Sequence, residues 1–272
     1  MVTKRKAALF HSEANSHAAE HKSNGLQKRG DLMEGAEHKG AHQPQVSNAL
    51  KLKLDHLKTF DALTPNQQSF FDAYKKGDYF IGMFGSAGTG KTFCSMYRAI
   101  EEVMDKTNPF KRVVVVRSCV QTRDVGFLPG TLEEKQEVYE LPYKEIAATL
   151  FDRPDAWDRL KEQGYARFIS TSAIRGISID DAIVIVDESQ NMSFQELNTI
   201  ITRVGYRSKI IFVGDWKQND LVKSKYDVSG LMEFLNVARK MPAFTEFTFT
   251  RDDIVRSSLV REWVIACEDS GY

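Results

Sequence analysis

The sequence predicts an α/β fold of three layers built on a mostly parallel sheet. Three observations predict it. From residue 50 on, apolar runs of strand length alternate with helix-length connections, as when crossover helices bury both faces of a parallel sheet. The segment Gly85-Ser86-Ala87-Gly88-Thr89-Gly90-Lys91-Thr92 has the spacing of a phosphate-binding loop and lies between one such run and one such helix. Two later runs end in acidic residues, at Asp187-Glu188 and Asp215, and ligands of open α/β sheets bind at the carboxyl ends of strands.

Taken in chain order, residues 1–48 differ from the rest. They hold five of the six histidines, many Lys, Glu, Gly and Ser, and the tetrapeptide Ala-Glu-His-Lys twice, at 19–22 and 36–39. Such a segment cannot bury enough apolar surface to offset its ordering entropy. It is expected to be a disordered polar tail with a transient helix near 13–22, and the domain is expected to occupy 49–272. The His-Lys pairs could hold a metal or an anion, but a solvated tail without ligand explains them more simply.

Leu63-Thr64-Pro65-Asn66-Gln67-Gln68 starts a helix, with Thr64 as cap and Pro65 in its first turn. Gln67 is a candidate reader of an adenine edge, because an amide both donates and accepts. Tyr79–Phe84 is the first strand. After the glycine-rich loop, Phe93, Met96, Tyr97, Ile100, Val103 and Met104 recur at helical spacing. Lys91 and Thr92 therefore fall in a first helical turn, whose partial positive charge suits phosphate. Successive backbone N–H groups from Gly85 to Gly90 would cradle the anion. Lys91 would meet the β- and γ-phosphates and Thr92 would bind Mg²⁺. Further strands are expected at Val113–Val116, Arg167–Thr171, Ala182–Val186, Lys209–Val213 and Phe244–Phe249.

Asp187 and Glu188 close the most hydrophobic of these runs. Paired carboxylates at a buried strand end need a cation, and Mg²⁺ takes one or two carboxylates plus phosphate oxygens. Asp187 is assigned to the metal and Glu188 to the attacking water as general base. The plainer alternative makes Asp187 a helix cap. Gln218, after the Gly214-Asp215 strand end, is placed to sense the γ-phosphate. These elements describe a RecA-like P-loop NTPase.

Lys+Arg and Asp+Glu both number 37, so the whole chain carries no bulk field for nucleic acid or membrane. No apolar run reaches the ~18 residues of a membrane span, and no signal peptide is apparent. Cys94, Cys119 and Cys267 have no metal-ligand spacing. They read as reduced, buried thiols of a cytoplasmic protein.

The ordered motifs resemble those of the PhoH-like P-loop ATPases of bacteria and bacteriophages over about 60–266. They are Thr64-Pro65-Asn66-Gln67, Gly85–Thr92, Arg117, Gly126-Phe127-Leu128-Pro129-Gly130 with Glu134-Lys135, Arg175-Gly176, Asp187–Asn191, Thr202–Gly205, Gly214-Asp215 with Gln218, Ser229-Gly230-Leu231, and Asp253-Ile254-Val255-Arg256. Ser189 departs from the family's usual alanine. That family is similar to the first lobe of superfamily 1 helicases, which implies ATP hydrolysis with Mg²⁺ and work on RNA or DNA. Two-lobe helicases close their site with arginines of the second lobe. Here the core is expected to end by about residue 266, so a ring-forming homo-oligomer, a hexamer in the simplest case, is expected to donate an arginine finger across its interface. Arg256, Arg203 and Arg175 are the candidates.

Single-stranded RNA or DNA is the expected partner, met by Arg203, Arg207, Lys209, Lys217, Lys223 and Lys225 with Tyr206, Trp216 and Tyr226 interspersed. The stretch 131–158 is acidic and offers stacking of subunits as the competing use. Two other functions fit the same loop: a small-molecule kinase, and a nucleotide-stabilised assembly module without turnover.

Overall fold

A computed structural model describes residues 51–119, 132–215 and 230–271. The expected tail, the Gly126–Gly130 motif, Gln218 and the basic residues from Lys217 to Lys225 lie outside the described residues.

The elements follow in the order α1 Pro65–Lys76, β1 Phe80–Gly85, α2 Lys91–Met104, β2 Arg112–Arg117, α3 Leu132–Phe151, α4 Ala156–Glu162, β3 Ala166–Ser170, β4 Ala182–Asp187, α5 Phe194–Ile201, β5 Lys209–Gly214, α6 Leu231–Ala238, β6 Phe244–Phe249 and α7 Ser258–Asp269. The strands form one sheet in the order β3-β2-β4-β5-β1-β6, and every pairing is parallel. All six expected strands are present, each within a residue or two of its expected ends. Parallel pairing sends every carboxyl end to the same edge of the sheet, where the phosphate loop sits.

Strand side chains alternate between faces, and the core divides accordingly. Ile81, Met83, Val113, Val115, Ile183, Ile185, Ile211 and Val213 pack with Phe70, Met96, Ile100, Tyr143 and Trp157 of α1–α4. Phe84, Val114, Val116, Val184, Val186, Ile210 and Phe212 pack with Leu197, Ile200, Leu231, Phe234 and Leu235 of α5 and α6. β1, β4 and β5 are buried along their whole length, which is why they read as unbroken apolar runs.

Two expectations about charge are corrected by packing. Lys209 is not on a nucleic-acid surface. It is 5 % exposed, its Nζ is 2.8 Å from Glu102, and it lies 4.1 Å from the centre of the Tyr74 ring. A strand-starting lysine beside an aromatic wall is drawn inside by its own stem. Glu140 is likewise not a solvated acid. It is buried and accepts hydrogen bonds from Trp157 Nε1 and from Lys161. Arg207 is exposed but tied to Asp181. The thiols also differ from one another: Cys94 is buried, whereas Cys119 and Cys267 are half-buried. Burial pushes Cys94 up to about 12 and Cys119 to about 11, so neither is a thiolate nucleophile at neutral pH.

The Lys209–Glu102 pair makes a stability prediction. Glu102→Ala strands an ammonium in a nearly dry site, which costs about 3 kcal/mol. Lys209→Met with Glu102→Ala should recover most of that loss in urea unfolding; equal losses in single and double variants would refute the pairing.

Candidate nucleotide site

β1 delivers the chain to the carboxyl edge of the sheet, and Gly85 makes the turn. Gly85 has φ 126°, and a Cβ there would lie 1.8 Å from the Phe249 carbonyl oxygen. Only glycine lets the loop leave the sheet this close to β6. Gly90 has φ 79° and immediately precedes α2. Lys91 and Thr92 then occupy the first turn of α2, as the helical spacing requires.

Lys91 is 8 % exposed. Its Nζ donates to the Gly85 and Ser86 carbonyls at 2.8 and 2.7 Å, so the ammonium sits inside the curl of the loop. Burial lowers its pKa, and the carboxylates of Asp215, Glu188 and Asp187 act against that. A triphosphate would add further negative charge around the ammonium.

Thr92 Oγ1 donates to Asp187 Oδ1 at 2.9 Å. The two residues are 95 positions apart and meet because α2 begins where β4 ends. Asp187 is the last residue of β4 and 3 % exposed, so its reading as a helix cap is excluded. Its other oxygen accepts from Tyr143 of α3 at 2.8 Å. Glu188 follows with φ 52°, a left-handed conformation uncommon for a side chain with a Cβ. That turn aims Glu188 away from the line of the strand, toward Gln190, whose Nε2 donates to it. Gln190 Oε1 in turn accepts from the Asp215 amide at 3.0 Å, which ties the ends of β4 and β5 together. Burial, then the neighbouring Asp187 charge, raises the Glu188 pKa.

Arg117 ends β2 directly beside Asp187 in the register. Burial works against its charge, but Tyr143, Asp187 and Glu188 outweigh that and keep its pKa above the ordinary arginine value.

The donor set suits a hard cation. A threonine hydroxyl and a carboxylate oxygen stand side by side, and among the described residues no group of three or more His, Cys, Asp or Glu side chains forms a metal cage. Mg²⁺ is held in this way, by few protein oxygens with phosphate and water completing the shell. No cage for a softer metal is present among those residues.

The segment after β6 closes the opposite side of the loop. The Val255 amide donates to the Gly88 carbonyl at 3.1 Å. A Cβ on Gly88 would come within 2.9 Å of Arg256 Cγ, so the Arg256 side chain runs along its own chain's loop. Arg256 is an exposed residue. Asp253 fixes the approach, accepting from Asn66 Nδ2 at 2.7 Å and from the Thr250 amide at 2.9 Å. Ser86 Oγ donates to Glu268 of α7 at 2.6 Å.

The sequence-derived site residues thus divide. Gly85 through Thr92, Asp187 and Glu188 come together. Gln67 joins them at the loop, but its amide is occupied by the chain: Oε1 accepts from the Leu63 amide and Nε2 donates to the Thr89 carbonyl. One hydrogen and one lone pair remain for any base. Arg256, expected to act across an interface, lies along Gly88 of its own chain. Arg203 follows α5, at the sheet edge opposite the loop, with a buried Nε that lacks a partner among the described residues. Arg175 is exposed on the connection from β3 to β4. Neither approaches the loop within this chain. Sequence reasoning missed Tyr143, Asp253 as an anchor, and Glu268. Only Asp253 carried a signal, through its place in a motif.

Comparison with known proteins gives the following. The PhoH family, described as PhoH-like protein, matches residues 59–268. A PhoH-like protein of Mycobacterium leprae is 31 % identical over 228 residues, covering 84 % of this chain and 64 % of that one. A PhoH-like protein of Bacillus subtilis is 31 % identical over 210 residues, covering 77 % and 64 %. The chain therefore spans a little under two thirds of these relatives' length. Among solved structures, a Pif1 helicase from Candida albicans superposes with a TM-score of 0.33 at 16 % identity, covering 70 % of this chain and 40 % of that one. Among the described residues no helix is long and apolar enough to cross a membrane.

Proposed function

The chain belongs to the PhoH-like protein family, a family of P-loop NTPases, and we propose that it hydrolyses ATP with Mg²⁺ to drive movement on, or remodelling of, single-stranded RNA or DNA. The observation that carries the hydrolytic reading is the meeting of Thr92 and Asp187 at 2.9 Å beside the buried Lys91. Strand β4 and helix α2 have no other need of a hydroxyl–carboxylate contact at the mouth of an anion-binding loop.

In this reading the loop amides and Lys91 hold the β- and γ-phosphates. Thr92 and Asp187 would hold the metal, which when bound would supply positive charge to offset that developing on the phosphate oxygens. Glu188 accepts the proton of the attacking water as its oxygen bonds to the γ-phosphorus and the bond to the β-bridging oxygen breaks. Arg256, lying along Gly88, meets the charge that builds on the phosphates. Nucleotide binding alone would not require Glu188, which favours turnover over a passive assembly module.

Work on nucleic acid rests on the family resemblance and on Tyr206, 82 % exposed next to Arg207. Assembly with further copies in the cytoplasm, in a closed ring such as a hexamer, belongs to the same proposal. Helix α7 supports it: none of its residues is buried, and Leu259 and Trp263 are 76 % and 70 % exposed. An apolar face of this kind suits a second copy. Native mass measurement tests it, with a monomer at working concentration as the refuting result.

Calorimetry with ATP and Mg²⁺ tests the site. Lys91→Ala removes a charge-assisted contact worth about 1.5–3 kcal/mol, so affinity should fall by about ten- to a hundredfold. Identical heats in both proteins would end the proposal. Phosphate release with and without single-stranded polynucleotide then tests the partner. Turnover that appears only with a small acceptor would instead identify a kinase.

A further inference from the structure

We infer that Tyr143 is a positioning residue for the metal: its hydroxyl engages one oxygen of Asp187 and thereby commits the other to the cation. The inference rests on the metal-dependent nucleotide site proposed above.

A carboxylate at the end of a strand can rotate about its terminal torsion, which is broad and roughly two-fold. Here both oxygens are assigned. Oδ2 accepts from Tyr143 and Oδ1 faces Thr92. Reversing or tilting the group would break a hydrogen bond between side chains that are 0 % and 3 % exposed, and an unmade bond between buried polar groups is costly. An outer partner of a metal-binding carboxylate fixes which oxygen faces the ion and at what angle.

Tyr143 is itself held rigidly. It packs between Trp157 and Phe168, with ring centres 5.9 Å away on each side. The indole of Trp157 is pinned by Glu140, one turn earlier on α3, and Glu140 is held by Lys161. Pro142 precedes Tyr143 inside the helix and leaves one backbone donor fewer there. A plain core tyrosine would direct its hydroxyl to solvent or to a backbone carbonyl. This one is directed at the carboxylate that Thr92 also meets. Arg117 stands beside both groups, so the cation that faces Asp187 and the donor that orients it come from one cluster on β2 and α3.

The test uses Tyr143→Phe in the full chain, which keeps the ring and its packing and removes only the hydroxyl. Binding of a fluorescent ADP analogue is titrated at rising Mg²⁺, and Mn²⁺ binding to the ADP complex is followed by electron paramagnetic resonance. The half-saturating metal concentration should rise about ten- to a hundredfold, while ADP affinity in EDTA stays within about twofold of wild type. Tyr143→Leu checks folding tolerance and should show the same metal defect with a lower melting temperature. A metal dependence unchanged in Tyr143→Phe, with ADP bound normally, would reduce Tyr143 to a packing residue and overturn the inference. Absence of any metal-dependent binding in the wild-type chain would instead overturn the ATPase reading.

Discussion

Glu188→Gln should lower steady-state ATP turnover by about a hundred- to ten-thousandfold, the range for loss of a general base, while leaving ATP affinity within a few-fold of wild type. The amide keeps the size of the side chain, its place after the left-handed turn and a partner for Gln190. It loses only the ability to take a proton. Rapid-quench and equilibrium binding separate the two quantities. Equal loss of binding and turnover would show that Glu188 serves structure or nucleotide affinity.

The same residue sets a pH dependence. Burial and Asp187 raise its pKa above the ordinary glutamate value of 4.5, and only the ionised form can act as base. Turnover should therefore fall as the solution becomes mildly acidic, beginning at a higher pH than an exposed glutamate would give. Stability runs the other way. A raised folded-state pKa means that Glu188 favours the fold below its unfolded pKa, and this contribution is lost as pH rises through the folded value. Once ionised, the buried Glu188 is a cost to the fold that the site bears for its chemistry. A rate profile with its acid limb at or below pH 4.5 would contradict this environment.

Arg256→Ala should reduce turnover by about 10³ to 10⁵, the range for a catalytic arginine. It should do so without complementation in trans. The Arg256 side chain runs along Gly88 of its own chain, and the Val255 amide is bonded to the Gly88 carbonyl. Mixing Arg256→Ala with Lys91→Ala protein therefore creates no intact site, because each site draws loop and arginine from one polypeptide. Recovered activity in the mixture would show that the arginine crosses an interface. Asp253→Asn should give a milder form of the same defect, since it weakens the bonds to Asn66 and Thr250 that hold the segment in place.

The contrast between these two residues shows where sequence reasoning stopped. Glu188 follows an apolar run by one position, and a strand end is a local property. Arg256 also belongs to a recognisable motif, but which chain's phosphate it would meet depends on how β6 pairs. β6 lies beside β1 at the sheet edge, and that single adjacency returns residues 250–256 to the phosphate loop of the same chain. Lys209 fails for a similar reason. As a letter it is a cation among cations, yet its burial is decided by Tyr74 and Glu102, which come from α1 and α2.

The sequence alone determined the six strands, the parallel sheet, the phosphate loop at the start of α2 and the two carboxylates at the end of β4. Each is written in short-range periodicity or in a contiguous motif, because backbone conformation answers to neighbours within a turn or a strand. Only the tertiary structure decided which partner each oxygen of Asp187 meets, and that Arg256 lies along the phosphate loop of its own chain. Those depend on contacts between side chains 44 to nearly 190 residues apart, and such contacts are set by strand order and close packing, which no local stretch of residues specifies.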